Sequence, residues 1–266
     1  MSHLPGKFVW FEHSSSNIAK ARKFYDPLFN WHTEAMPMGA ERYHMILNQA
    51  EGIGGYRSAP EGERSRWIAY LSVTDVDAAY RDALAAGARG LERPSDHGEV
   101  GRGASITDPS GASLSLWKSA QGDRPDTERT PSGDWCWNEL WTPDEIGALA
   151  FYQRVFGYTH ETMDMGPQGT YYILKKDGVS RGGMMRSTEP KAPPMWLPYV
   201  AVDDCDLTAS RARQLGGQVL SGPADVPGVG RFAVLADPLG AAIAIIRPAP
   251  EMNAAAEGAM SEATAA

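Results

Sequence analysis

An α+β protein of two tandem domains is what this sequence predicts, and three observations carry the prediction. The chain repeats itself. Gly6-Lys-Phe-Val-Trp10-Phe-Glu12 returns 127 residues on as Gly133-Asp-Trp-Cys-Trp137-Asn-Glu139, and Phe24-Tyr25 returns at the same offset as Phe151-Tyr152. A repeat of about 115 residues is of domain size, not the short period of a solenoid. Within each copy, short strand patterns and two helical patterns follow one another as βαβββ twice over. That order implies largely antiparallel sheets with helices outside. The composition, 42% hydrophobic and 22% charged, belongs to a folded globular chain.

The elements follow in order. Phe8 to Phe11 is a short apolar strand. Asn17 caps a helix carrying Ile18, Ala21, Phe24 and Leu28 on one face, and Asn30 ends it with a residue type that tolerates a left-handed conformation. Strands follow at Trp31–Glu34, Tyr43–Leu47 and Ile53–Tyr56. Trp67 to Val73 opens a second unit, in which Asp75 caps a helix through Ala86 and Gly87 stops it. Strands near Gly103–Thr107 and Ala112–Trp117 flank Asp108-Pro109-Ser-Gly111, a turn in which Pro presets φ and Gly accepts a positive one. The second copy repeats this with Asp144 and Gly157 around one helix, Asp204 and Gly216 around the other, and Asp237-Pro238-Leu-Gly240 as the turn. The implied boundaries are domains at 5–118 and 133–248, a polar Pro-rich linker at 119–132 and an unstructured tail at 249–266. Fusion of two copies implies an intrachain pseudo-dimer, with further pairing into a homodimer left open.

Charge and cysteine usage narrow the setting. A formal net charge of −8 argues against nucleic acid and anionic membrane as partners, since both need basic surface. The two cysteines, Cys136 and Cys205, stand at unmatched repeat positions and form no CxxC, which fits a reducing cytoplasm. No run reaches membrane-spanning length and no leader pattern opens the chain, so a cytoplasmic protein is expected.

The ordered set of a first strand, a helix with Phe-Tyr, Gly54-Gly55 (again Gly182-Gly183), Val-x-Asp-x-Asp and Asp-Pro-x-Gly resembles the vicinal oxygen chelate superfamily. That group includes glyoxalase I, bleomycin-resistance proteins and extradiol dioxygenases. The resemblance covers about Phe8–Trp117 and Trp135–Arg247, and implies two tandem domains, each a pair of βαβββ modules curling into a half-open cup. Enzymes of the superfamily hold a divalent metal with His, Gln or Glu. Carried over by spacing, those positions fall on Trp10 and Trp137, on or beside Ile68 and Leu197, and on Ser115 and Ala244. None of these side chains is a good divalent-metal ligand, so neither metal nor other cofactor is expected. Of the six histidines none recurs between copies; His13, His44 and His97 form the alternative metal set. Trp-x-Glu first strands and Asp-Pro-x-Gly-Ala endings more closely resemble tandem members labelled "hydroxylase".

Glu12 and Glu139 are the candidate acid/base residues. Strand alternation sets each on the face of Trp10 or Trp137, where an apolar surround would raise a carboxyl pKa. A structural alternative pairs Glu12 with Arg102 and Glu139 with Arg231 as buried braces. Trp10, Trp67, Tyr70, Arg102 and Trp117, with Trp137, Trp196, Tyr199 and Arg231, are the candidate ligand-binding set; core packing is the competing reading of each tryptophan. Three functions follow: a metal-independent binder of a small hydrophobic or aromatic molecule; an enzyme using Glu12 or Glu139, or a metal at unconventional ligands, for lyase, isomerase or dioxygenase chemistry; and an interaction scaffold with both cups filled.

Overall fold

The computed structural model describes residues 2–38, 41–189 and 192–249; residues 250–266, most of the expected tail, lie outside them. The first repeat runs β1 (Phe8–Ser15), α1 (Ile18–Phe29), β2 (His32–Met38), β3 (Glu41–Asn48), β4 (Glu51–Ser58), β5 (Arg66–Ser72), α2 (Val76–Ala85), β6 (Arg89–Asp96), β7 (Gly101–Thr107) and β8 (Ser113–Ser119). The second runs β9 (Trp135–Thr142), α3 (Glu145–Phe156), β10 (Thr159–Asp164), β11 (Thr170–Lys176), β12 (Val179–Arg186), β13 (Met195–Ala201), α4 (Cys205–Gln214), β14 (Gln218–Val226), β15 (Gly230–Ala236) and β16 (Ala242–Pro248).

Each repeat forms one eight-stranded sheet, in the orders β2-β3-β4-β1-β5-β8-β7-β6 and β10-β11-β12-β9-β13-β16-β15-β14. Neighbours within the meanders are antiparallel. The return strand of a module lies parallel to its first strand, as β12 does to β9, β8 to β5 and β16 to β13. Neither sheet closes on itself, so each repeat is a pair of βαβββ modules in an open, cup-type α+β arrangement.

Local chemistry sets the helix ends. Asn17, Asp75, Asp144 and Asp204 each accept a backbone N–H from the first turn, satisfying donors with no intrahelical partner. Asn30 and Gly157 take left-handed C-cap positions at φ 57° and 66°. The βαβββ pattern calls for β6 and β14, but their residues carry no signal that places them. They are sheet edges, mostly exposed, interrupted by register shifts and carrying Pro94 or Pro223, so neither alternation nor apolar content marks them.

By packing, the chain divides into two compact units, and each takes one module from each repeat. The first comprises residues 1–11, 68–125 and 137–197; the second comprises 12–67, 126–136 and 198 onward. In the first unit α2 packs on α3, and in the second α1 packs on α4.

A buried relay holds each unit. In the first, the Trp196 Nε1–H donates to the Tyr152 hydroxyl (2.8 Å), which donates to Asp108 Oδ2 (3.0 Å). The other oxygen, Asp108 Oδ1, accepts the backbone N–H groups of Ser110, Gly111 and Ala112. In the second unit Trp67 Nε1–H donates to Tyr25 (2.9 Å), while Asp237 Oδ1 accepts the N–H groups of Leu239 and Ala241. There the outer oxygen, Asp237 Oδ2, meets His13 Nε2 at 2.9 Å. The Asp-Pro-x-Gly turn and the Phe-Tyr pair are therefore one device, built twice.

Arg102 and Arg231 do not brace Glu12 and Glu139. Arg102 forks onto Asp77 in the first turn of α2 (2.7 and 2.9 Å) and reaches Asp96 (2.8 Å). Arg231 does the same with Asp206 and Asp225. These hydrogen bonds hold the Asp77 and Asp206 carboxyls below their usual range. The arginines lie on the helix-bearing side of the sheets, where they fasten a helix start to an edge strand.

Two outcomes follow from these buried groups. Asp108→Ala would strand three backbone donors and a buried hydroxyl, lowering stability by about 3 kcal/mol in urea unfolding. Burial also raises Tyr25, Tyr152 and Tyr171 well above the ordinary phenol value of 10.0. Below that value these phenols are protonated in both states; above it the unfolded chain ionises first, so stability falls as pH rises. The urea midpoint is expected to be lower at pH ~10.5 than at pH ~8.

Candidate functional site

Alternation along β9 sends Asn138 and Leu140 (1% and 0% exposed) to the helix-bearing side and leaves Trp137, Glu139 and Trp141 on the opposite face. Strand register completes that face. Met163, Tyr171, Met185 and Trp141 form one row across β10, β11, β12 and β9, and Ile173, Gly183 and Glu139 form the next. Glu139 is buried at 6% exposure, while Trp137, Trp141, Tyr171 and Met185 are half-buried around it.

Two neutral donors reach the carboxylate. The Trp141 Nε1–H donates to Glu139 Oε1 (2.5 Å), and the Tyr171 hydroxyl donates to Oε2 (2.7 Å). The Trp137 Nε1–H in turn donates to the Tyr171 oxygen (2.8 Å). Burial, then the Glu139 charge, keeps the Tyr171 phenol protonated, which fixes it as the donor in this chain. Gly183 makes the arrangement fit: a Cβ there would collide with the Tyr171 hydroxyl. The repeated Gly-Gly pair thus leaves room for a tyrosine.

The first repeat builds the same face with different chemistry. Trp10 and Glu12 lie on it, and Tyr43 crosses Gly55 as Tyr171 crosses Gly183. Met36 pairs with Tyr43 as Met163 pairs with Tyr171. However, Ser14 stands where the second repeat has Trp141, and Arg57 where it has Met185. Arg57 Nε approaches Glu12 Oε2 at 3.2 Å. Arg57 thus approaches the first carboxylate, while an indole and a phenol reach the second.

The remaining candidates separate. Trp67 and Trp196 are buried on the helix-bearing side, committed to Tyr25 and Tyr152, as core packing requires. Tyr70 and Trp117 come together edge-on at 5.9 Å, with His97 5.6 Å from Trp117. Beside them Ser115 bonds Ser105 (3.1 Å), which donates to Glu92 (2.8 Å). The second repeat has Ala244 and Val234 at the matching serine positions, so this polar row is not duplicated. Tyr199 is buried, and Arg102 and Arg231 remain in their helix braces.

The donor set does not fit a divalent metal. The indole at Trp137, the position a ligand would occupy, is a hydrogen-bond donor with no lone pair to offer. His13 is fully buried against Asp237, and His97 lies beside Trp117. Among the described residues no group of three or more His, Cys, Asp or Glu is placed to hold a metal.

Of the residues that meet here, the sequence singles out Trp137 and Glu139 but not Tyr43 and Tyr171. Their signal was present: they recur at an offset of 128, the offset that relates Gly55 to Gly183. Trp141 had no such signal, because its counterpart is Ser14.

Comparison with known proteins places these observations. Residues 7–116 match the model of the Glyoxalase/Bleomycin resistance protein/Dioxygenase superfamily. The chain is 38% identical over 248 residues to the glyoxylase-named CFP32 of Mycobacterium tuberculosis, covering 91% of this chain and 95% of that one. It is 31% identical over 274 residues to the anthracycline biosynthesis protein DnrV of Streptomyces peucetius, covering 96% and 98%. The Mn(II)-bound glyoxalase from Novosphingobium aromaticivorans shares the fold, with a TM-score of 0.66 at 18% identity, over 95% of this chain and 84% of that one.

Gly183→Ala should push the Tyr171 ring off Glu139. The expected result is an altered near-ultraviolet circular dichroism signal from Trp137 and Trp141, an unchanged far-ultraviolet signal, and a loss of about 1–3 kcal/mol in unfolding experiments.

Proposed function

From the premise that the chain belongs to the Glyoxalase/Bleomycin resistance protein/Dioxygenase superfamily, we propose that it binds a small hydrophobic or aromatic molecule without a metal. The observation that carries this reading is the Trp137–Tyr171–Glu139–Trp141 frame. Where relatives would place a metal ligand, this chain places an indole N–H aimed at a phenol. Half-buried aromatic side chains around one buried acceptor suit a flat ligand oriented by a single polar contact. The name of the Streptomyces relative, an anthracycline biosynthesis protein, supports a small-molecule role.

Catalysis is the second reading, favoured by one observation: the Tyr171 hydroxyl donates directly to Glu139, a pair able to move a proton to or from a bound molecule. The glyoxylase name of the mycobacterial relative agrees with it.

Two measurements separate the readings. Ligand binding to the native state raises the melting temperature by mass action, so a panel of aromatic metabolites should contain members that stabilise the protein equally before and after dialysis against a chelator. No stabilisation by any member would sink the binding proposal. Stoichiometric Fe, Mn, Ni or Zn retained through dialysis, together with chelator-sensitive stabilisation, would replace it with a metal-dependent enzyme.

A further inference from the structure

A cleft of about 510 Å³ opens in the first unit where α3 meets the Asp-Pro-x-Gly turn at Asp108. Ala86, Pro109, Ser110, Gly147, Phe151 and Arg154 line it, together with Asp144 at the start of α3. The other copy shows why there is room. At the 127-residue offset of the helices Gly147 stands for Lys20; at the 129-residue offset of the turns, Ser110 stands for Leu239 and Ala86 for Leu215. All three side chains are smaller in the first unit than in the second.

The exchange at Gly147 also alters the chemistry. In the second unit the Lys20 ammonium donates to the Pro238 carbonyl (3.2 Å). Its equivalent, the Pro109 carbonyl, faces a glycine. Asp144 uses Oδ1 to accept the Gly147 N–H (3.0 Å), and its Oδ2 sits where a side chain of residue 147 would begin. A carboxylate thus stands at the head of the path that Lys20 takes in the other unit. Seven residues on, two turns and about 10 Å along α3, exposed Arg154 lines the same cleft. Its counterpart is Pro27, so this positive charge belongs to the first unit alone.

We infer that this cleft is a second ligand site, which takes a small aliphatic ω-amino carboxylate. The ligand's ammonium stands in for that of Lys20, donating to the Pro109 carbonyl and to Asp144. Its chain lies on Pro109, Ala150 and Phe151, and its carboxylate meets the planar fork of Arg154. The start of α3 carries roughly half a positive charge, which opposes an ammonium, but Asp144 brings a full negative one. Lys20 shows that the same place on α1 accommodates an ammonium. The cleft shares no residue with the Glu139 face, so this inference does not rest on the function proposed above.

Three probes with one chain length test it. 6-Aminohexanoate carries both charges, whereas hexylammonium and hexanoate carry one each. Calorimetry on the full chain should show 6-aminohexanoate binding about tenfold or more tighter than either, because each analogue lacks one charge-assisted hydrogen-bonding group. Arg154→Gln changes an exposed side chain; it should weaken 6-aminohexanoate by about tenfold and leave hexylammonium unchanged. Asp144→Asn keeps a helix-capping residue, as Asn17 is in the first repeat, and should weaken both ammonium ligands while sparing hexanoate. Gly147→Lys installs the first repeat's residue and should abolish 6-aminohexanoate binding.

No binding of 6-aminohexanoate to the unaltered protein would overturn the inference. So would a single-charge analogue that binds as tightly, or 6-aminohexanoate affinity unchanged by Arg154→Gln, which decides the matter even if Gly147→Lys does not fold. Stabilisation by the aromatic panel should be the same in Arg154→Gln as in the unaltered protein, so failure here and failure of the function proposed above are read separately.

Discussion

A buried carboxylate that cannot satisfy itself within its own repeat is the constraint on which the rest of the structure depends. Asp108 and Asp237 are 2% and 3% exposed. Each uses one oxygen to close its Asp-Pro-x-Gly turn and turns the other outward to a partner from the opposite copy: Tyr152 for Asp108, His13 for Asp237. A polar group at that depth must be hydrogen-bonded or it destabilises the fold. The requirement dictates which modules pack together, explains why each compact unit draws on both repeats, and fixes Trp67 and Trp196 as donors in the core.

Once those tryptophans are committed, the opposite faces of the sheets are free to diverge. The glutamate, its preceding tryptophan, the tyrosine and the glycine beneath it are kept in both copies because they form one interlocked set. The phenol needs the absent Cβ of Gly55 or Gly183 to lie flat. Around this fixed frame, two positions that contact the glutamate or flank it differ between the copies, Ser14 against Trp141 and Arg57 against Met185. The duplication has left one scaffold with two chemical characters.

Much of this was legible in the sequence, because the duplication supplied its own comparison. Helix caps, left-handed C-caps and the turn between the last strands rest on local chemistry and were read correctly. The edge strands β6 and β14 were not placed, since a strand exposed on most sides needs no hydrophobic alternation. Glu12 and Glu139 stood out as candidates through the repeat, yet their proposed partners Arg102 and Arg231 were assigned by co-occurrence. Which face an arginine takes depends on pleat and register, and single-residue spacing does not resolve that when the strand is short. Tyr171 was within reach through its repeat offset. Trp141 was not, because divergence between copies removes the signal that the repeat otherwise provides.

The relay in the second unit also bears on how the chain is made. His13 and Asp237 are separated by 224 residues, whereas the first unit is assembled from segments that end at residue 197. On a ribosome, therefore, the first unit can close before the segment beyond residue 197 that belongs to the second unit has emerged. Residues 12–67 must wait through that interval with the face of α1 and its Phe24 and Tyr25 lacking the module that will cover it. A segment made before the first unit is complete is thus secured only after it.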